Sequence, residues 1–337
     1  MKVAVLSTVC WSTPPAHYGP WEQVASNITE GLVEKGIDVT LYATGDSCTG
    51  GKLEWVIKHP YGENPEMDAK VCESLHISHL MEQADKYDII HNNYDFIPLT
   101  YSKLIKTPMI TTIHGFSSPK IIPIFKKYND IGYYVSISNS DRCSELNYIA
   151  TIYNGIQPDQ FSFKKEHGNY LLYFGRIHHD KGTFESIQIS KIAKMRLIIS
   201  GIIQDKKYFK EKVEPFVNND DIIYVGNSGP KRRNELLGGA YALLHPINFN
   251  EPFGLSVAES MFCGTPVIAF RRGSMPELIV DGKTGFLVYS VEEAVECLKE
   301  IKNLDRNYCR VWADSNFSQK KMVDDYLNVY NKILGIE

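Results

Sequence analysis

Residues 245–270, HPINFNEPFGLSVAESMFCGTPVIAF, admit few arrangements. The apolar run 241–245 reads as a short strand and 266–270 as a second one. Between them Pro252, Phe253 and Gly254 suit a bend. Leu255, Val257, Ala258 and Met261 then mark the apolar face of a helix that starts just after it. Glu251 falls in the loop before this helix, and Glu259 about one turn inside it. Amides at a helix start attract phosphate and other anions, so the stretch suits a nucleotide-linked substrate. Two glutamates beside a phosphate would repel it. Their chemistry fits hydroxyl groups instead.

A chain of 337 residues exceeds one ordinary hydrophobic core and implies two domains of about 150 residues. With 43% apolar and 23% charged residues it reads as a soluble globular protein. A formal net charge of -4 argues against a general nucleic-acid binder, which needs a basic surface. No apolar run approaches a membrane span. The start, MKVAVLSTVC, continues into Trp11-Ser-Thr-Pro-Pro without a small-residue cleavage site, and reads as a buried strand rather than a signal peptide. Seven scattered cysteines fit a reducing compartment and give no zinc spacing. These features place the protein in the cytoplasm.

Along the first half, 3–9 is a strand apolar enough to be covered on both faces, followed by a loop at 10–20. A helix over 21–35 ends at Gly36 and a second strand spans 38–43. A Rossmann dinucleotide site wants G-x-G-x-x-G directly after the first strand, whereas this loop offers Gly19 alone. That disfavours an NAD enzyme. Further strands are expected at 55–59, 88–91, 109–114 and 133–138, and a helix at 68–84 buried through Val71, Leu75 and Leu80. Ser138 and Ser140 are candidate caps of a short helix. The stretch 119–127, PKIIPIFKK, reads as a solvated loop with a few packed isoleucines. Polar residues at the ends of parallel strands, His91-Asn92-Asn93 and His114-Gly115, point toward the crevice where open sheets bind ligands. His59, His76 and His79 show no metal spacing.

In the second half, strands are expected at 169–175, 195–201 and 221–226, with helices near 207–217, 231–237, 291–301 and 318–334. Gly264-Thr-Pro266 turns the central helix back into a strand.

The run E-P-F-G-L-S-V-A-E-S-M-F-C-G-T-P-V-I-A resembles the Glu-x7-Glu signature of retaining glycosyltransferases of the two-Rossmann-domain type, glycosyltransferase group 1 / family 4. Residues 169–182, N-Y-L-L-Y-F-G-R-I-H-H-D-K-G, resemble that family's F-x-G-R-[LI]…K-G. Residues 281–288 are similar to its D-G-x-x-G-x-L-V, and Asn154-Gly155-Ile156 to its N-G-[IV]-D, here ending in Gln157. Arg271 to Glu277 resembles G-G-x-P-E and departs from it in having Gly-Ser. His114-Gly-Phe resembles the His-Gly step.

The resemblance implies an α/β protein of the GT-B fold, two Rossmann-like domains whose parallel sheets face across a cleft. Residues 1–165 would bind the acceptor and 166–315 the nucleotide sugar; 158–168 would be a linker, and 316–337 a helix returning to the first domain. The implied activity is retaining transfer of a hexose, with glucose as the default sugar, from a UDP-sugar to a hydroxyl acceptor that is small or lipid-linked. Peripheral contact with the inner face of a membrane goes with the lipid-linked case. No metal and no cofactor beyond the donor are implied.

The residues that match the family's motifs carry its roles. His114 would touch the transferred sugar near its 6-position, and Glu251 its hydroxyls. Arg176 and Lys181 would neutralise the leaving diphosphate, as magnesium does elsewhere; Gly175 keeps their crevice clear of a side chain. Phe253, Gly254 and Leu255 would offer amides to the sugar and diphosphate, Glu259 would bind the ribose, and Gly226 the base. Gly19 stands where the family brings glycines to the donor phosphates, with His17, Tyr18 and Trp21 as an acceptor wall. His91 is a candidate for the acceptor pocket, while His178 and His179 read as exposed loop residues. With no carboxylate placed as a nucleophile, front-face substitution is expected. The alternatives are a phosphate-dependent disaccharide phosphorylase of the same fold and a non-catalytic nucleotide-sugar-binding subunit; a periplasmic-type binding protein would need an export signal.

Overall fold

The protein is described by a computed structural model covering residues 1–16, 18–116 and 118–336. His17, one of the residues of the expected acceptor wall, lies outside the described residues. The chain divides into two compact units, Met1–Gly155 with Gln319–Glu337, and Ile156–Ser318.

The first unit is a seven-stranded sheet of β1 (Lys2–Leu6), β2 (Asp38–Tyr42), β3 (Lys52–Glu54), β4 (Ile89–Asn92), β5 (Met109–Ile113), β6 (Tyr133–Ser136) and β7 (Tyr148–Thr151). The order is β3-β2-β1-β4-β5-β6-β7, and every pairing is parallel. Parallel strands need crossovers, and the helices α1 (Pro20–Glu34), α2 (Ala69–Met81) and α3 (Ile122–Lys127) supply them here. Covered on both faces, the central strands lose their alternation: β4 and β5 are buried at every residue. The edge strands β3 and β7 keep partial exposure.

The second unit holds β8 (Tyr170–Phe174), β9 (Arg196–Ser200), β10 (Ile222–Tyr224), β11 (Ala242–His245), β12 (Val267–Phe270) and β13 (Gly285–Val288). They pair in parallel in the order β10-β9-β8-β11-β12-β13. Its helices are α4 (Thr183–Ala193), α5 (Lys206–Tyr208), α6 (Pro230–Gly239), α7 (Leu255–Phe262), α8 (Met275–Leu278), α9 (Val291–Leu298) and α10 (Arg306–Phe317). The last helix, α11 (Gln319–Leu334), belongs to the first unit. No helix among the described residues is long and apolar enough to cross a membrane.

A buried polar chain fixes α11 against the first sheet. His91 on β4 bonds the Tyr330 hydroxyl through Nδ1 (2.6 Å) and Thr112 on β5 through Nε2 (2.8 Å). Thr112 meets the Tyr326 hydroxyl at 2.7 Å. Gly31 on α1 admits the close approach: a Cβ there would come within 2.5 Å of Val323 on α11. His91 therefore serves the interior, and it does not line a pocket.

Several other expectations give way. Residues 55–59 are not a strand; Trp55 instead lays its ring over Gly45. The buried face of α2 is Cys72, His76, Ile77, Leu80 and Met81, while Val71 and Leu75 face solvent. Residues 138–141 form a turn held by Ser138, with no helix before β7. The stretch 119–127 is helical rather than a loop, since Pro119 and Pro123 both fall in first turns, where their missing N–H is harmless. Phe125 is its fully buried anchor. Residues 158–168 belong to the second unit: Lys164 and Gly168 donate backbone bonds to Cys263 and Gly239.

Two fully buried histidines make the first unit acid-sensitive. Burial pushes His76 down to about 4, despite its bond to the Ser7 carbonyl, and His91 down to about 3. A histidine with a depressed folded pKa takes up its proton in the unfolded chain first, so stability present above pH 6.5 is lost as pH falls. At pH 5 each should cost on the order of 2 kcal/mol. Denaturant unfolding at pH 7 and pH 5 measures this, and His76→Phe should show a flatter dependence; a midpoint that ignores pH in the parent protein would contradict the account.

Candidate functional site

In the second unit, β8 comes first in sequence but sits between β9 and β11. The chain builds outward from it in both directions, so β8 and β11 flank the switch point at which open parallel sheets bind ligands. The expected residues gather there. Gly175 and Arg176 follow β8, and Glu251 lies in the loop after β11.

Lys181 reaches across this point. Its ammonium donates to Glu251 Oε2 at 2.5 Å and stands 4.4 Å from the centre of the Phe249 ring. Both partners are largely covered, with side chains 15% and 12% exposed. His245, the last residue of β11, brings Nε2 to 3.7 Å from the same carboxylate oxygen. Burial alone would raise the Glu251 carboxyl, but His245 and Lys181 outweigh it and hold it down at about 2. Glu251 is therefore a buried anion. Nε2 of His245 is itself buried and makes no hydrogen bond.

Arg176 spreads its guanidinium between Gln204, to which it donates, and Asp180, whose Oδ2 lies 3.9 Å away. Glu259, on α7, accepts from Arg233 at 3.1 Å. Burial raises its carboxyl, with Arg233 pulling it back. Phe253 buries its ring edge-on to Phe317, and its carbonyl accepts from Ser274 Oγ at 2.6 Å. Gly226 follows β10 at φ 73, and its carbonyl takes the Gly201 amide and the Ser200 hydroxyl.

Close backbone approach shapes these loops. A Cβ on Gly182, at φ 73, would lie 1.9 Å from the Pro246 carbonyl oxygen. One on Gly273, at φ 54, would lie 2.3 Å from the Glu251 nitrogen. The departure from G-G-x-P-E is thus accommodated: Gly273 is pressed on the Glu251 loop and Ser274 hydrogen-bonds it. Gly175 is different. Only the Tyr173 hydroxyl, at 3.8 Å, stands near its missing side chain, so no protein group forbids one. The forced glycine is Gly201, whose Cβ would lie 1.8 Å from the Gly175 oxygen.

Helices α2, α9 and α10 are capped by Asp68, Ser290 and Asp305 side chains. Those that follow β1, β8, β10 and β11, namely α1, α4, α6 and α7, all begin on glycine with no side-chain cap. The first-turn amides of these helices have no partner within the helix; Pro20 and Pro230 carry none, and that of Phe184 on α4 donates to the Tyr208 hydroxyl at 2.9 Å.

In the first unit the corresponding switch point lies between β1 and β4. His114 donates from Nε2 to Asn93 Oδ1 (3.1 Å) and stacks on Trp21, ring centres 5.7 Å apart. Burial pushes its imidazole down to about 3. Gly19 starts α1, and a Cβ there would meet Pro15 and the Glu22 carboxylate at 2.8 Å, which gives it a packing reason. Glu22 is buried and accepts from Thr8, a contact no motif announced. Asp95, just past β4, holds φ 116, and burial raises its carboxyl to about 7. Such strain in a non-glycine residue is concentrated at working sites. His245, Phe249, Arg233 and Asp95 were missed in the sequence; for Asp95 and His245 the only signal was their place at strand ends.

Residues 157–316 match the family model described as glycosyl transferases group 1, and residues 21–160 that described as glycosyltransferase family 4. The chain is 28% identical over 204 residues to an uncharacterized 41.2 kDa protein in the cps region of Klebsiella pneumoniae, spanning 55% of each. It is 24% identical over 338 residues to an uncharacterized glycosyltransferase of Methanocaldococcus jannaschii, covering 86% of this chain and 85% of the relative. Its fold is similar to that of Anabaena HepE, solved in complex with UDP-glucose: TM-score 0.73, 16% identity, 98% of this chain and 100% of that one. The chain belongs to the group 1 and family 4 glycosyltransferases and is a nucleotide-sugar-dependent enzyme of the GT-B fold, with two Rossmann-like parallel-sheet domains.

Proposed function

We propose that the enzyme transfers glucose from UDP-glucose to a hydroxyl of a small or lipid-linked acceptor, with retention at the anomeric carbon. The observation that carries this reading is the Lys181–Glu251 contact at the β8/β11 switch point, with Arg176 on the same loop as Lys181 and the glycine starts of α4 and α7 next to the two partners in sequence. An ionised carboxylate accepts hydrogen bonds from paired hydroxyls, and the buried Nε2 of His245 stands 3.7 Å from the same oxygen. Cations and helix amides take the diphosphate. HepE, with the same fold, binds UDP-glucose, which supports the choice of donor.

In this mechanism the bond from C1 to the β-phosphate oxygen breaks while the acceptor oxygen bonds C1 on the same face. The acceptor's proton passes to the departing phosphate. Arg176, Lys181 and the amides of Gly254 and Leu255 stabilise the negative charge that grows on that phosphate. Glu251 is already committed to Lys181 and held near full ionisation, so it binds the sugar rather than attacking it. Glu259 takes the ribose hydroxyls and the backbone around Gly226 takes the base.

Calorimetric titration with UDP should show micromolar binding. Arg176→Ala or Lys181→Met should weaken it about ten- to hundredfold, since a charge-assisted hydrogen bond contributes about 1.5–3 kcal/mol. Unchanged affinity in both variants would remove the proposed roles. With UDP-glucose and an accepted hydroxyl compound, NMR of the product should show the α configuration of the donor; a β product, or sugar 1-phosphate released from a disaccharide by free phosphate, would contradict the mechanism. The Lys181→Met substitution should also move the Glu251 carboxyl upward from about 2, readable by carboxyl carbon NMR against pH; an unmoved titration would show that Lys181 does not hold the anion.

A further inference from the structure

His178, His179 and Asp205 stand outside the donor-binding set, and each can present one ligand atom such that all lie within 4.8 Å of one another. We propose that they bind one divalent transition-metal ion of the class imidazole favours, such as zinc, cobalt or nickel. Ligand atoms on a tetrahedral ion of this class stand about 3.3 Å apart. His179 Nδ1 is already 3.6 Å from Asp205 Oδ2, and its exposed side chain is free to turn.

The atoms are presented as such a site requires. Asp180 Oδ1 accepts from His178 Nδ1 at 2.6 Å, which fixes the ring and leaves the lone pair on Nε2. A carboxylate behind a histidine is the usual support of a metal-binding imidazole. Asp205 divides its work in the same way: Oδ1 caps the start of α5 by accepting from the Tyr208 amide at 2.9 Å, and Oδ2 faces His179. The two histidine rings lie 4.2 Å apart, centre to centre.

Backbone bonds hold the two loops in register. Ile177, next to His178, accepts at its carbonyl from the amides of Gln204 (3.2 Å) and Asp205 (3.1 Å), and donates to Ile202 at 2.8 Å. The ligands therefore come from rigid neighbours at the ends of β8 and β9. The supports are shared with Arg176: Asp180 Oδ2 faces its guanidinium at 3.9 Å, and Gln204, beside Asp205, takes its hydrogen bond. An ion bound here would sit next to the arginine assigned to the donor diphosphate, although the site itself does not depend on that assignment.

The test is titration of the full-length protein with Co2+ without nucleotide, followed by calorimetry and by the visible absorption of the bound ion. One Co2+ per chain is expected. His179→Gln, which alters an exposed side chain, and Asp205→Asn, which keeps the α5 cap, should each weaken binding at least about tenfold. Mg2+ should not compete, because two of three ligands are nitrogen. Absence of saturable binding, or affinity kept in both variants (as the cysteines would give), overturns the proposal. Loss of UDP binding with intact Co2+ binding would count against the donor reading alone.

Discussion

A buried carboxylate in the second unit depends on the cation beside it. Glu251 is nearly covered, and a carboxylate taken out of water is tolerated only with an opposite charge in close contact. Lys181 supplies that charge from the loop after β8, while Glu251 comes from the loop after β11. Removing one partner of such a pair typically costs about 3–5 kcal/mol. Much of the local backbone follows from holding the two loops at that distance. Gly182 presses on Pro246 and Gly273 on Glu251, each at a positive φ and at separations no side chain would permit. Ser274 ties the Glu251 loop from the other side.

That arrangement spends stability on readiness to bind. The four helices that follow β1, β8, β10 and β11 start on glycine without side-chain caps, which costs roughly a few tenths of a kcal/mol each against a polar cap. Helices α2, α5, α9 and α10 carry a side-chain cap. An unbonded His245 nitrogen and a strained Asp95 both occur at carboxyl ends of strands. The interior shows the reverse. Arg306 is buried yet fully engaged, donating to Lys164, Ala240 and Gly238 carbonyls and to the Thr265 hydroxyl.

The sequence made legible what is local. Glu251 and Glu259 fall in one short motif, and Arg176 and Lys181 in another, so each pair is visible without knowledge of the whole fold. The strands with unbroken apolar runs were equally plain. What escaped depends on distant approach. His91 looked like a strand-end ligand because its partner Tyr330 lies 239 positions away. On α2 two apolar stripes overlap, Val71-Leu75 and Cys72-His76-Leu80, and only the sheet beneath decides which is buried. Gly201 escaped notice because the steric demand on it comes from the Gly175 carbonyl of the neighbouring strand.

The polar chain of His91, Thr112, Tyr326 and Tyr330 bears on the order in which the protein is built. The second unit is continuous in sequence, so it has all its residues once Ser318 has been made. The first unit begins earlier and finishes later. Until α11 is synthesised, a histidine and a threonine on its central strands lack their tyrosine partners, and the face of α1 around Gly31 is bare. During synthesis this half stays an open sheet with polar groups awaiting partners, a state in which chains are prone to associate wrongly. The last sixteen-residue helix therefore acts as a clasp, closing the part of the molecule that was started first.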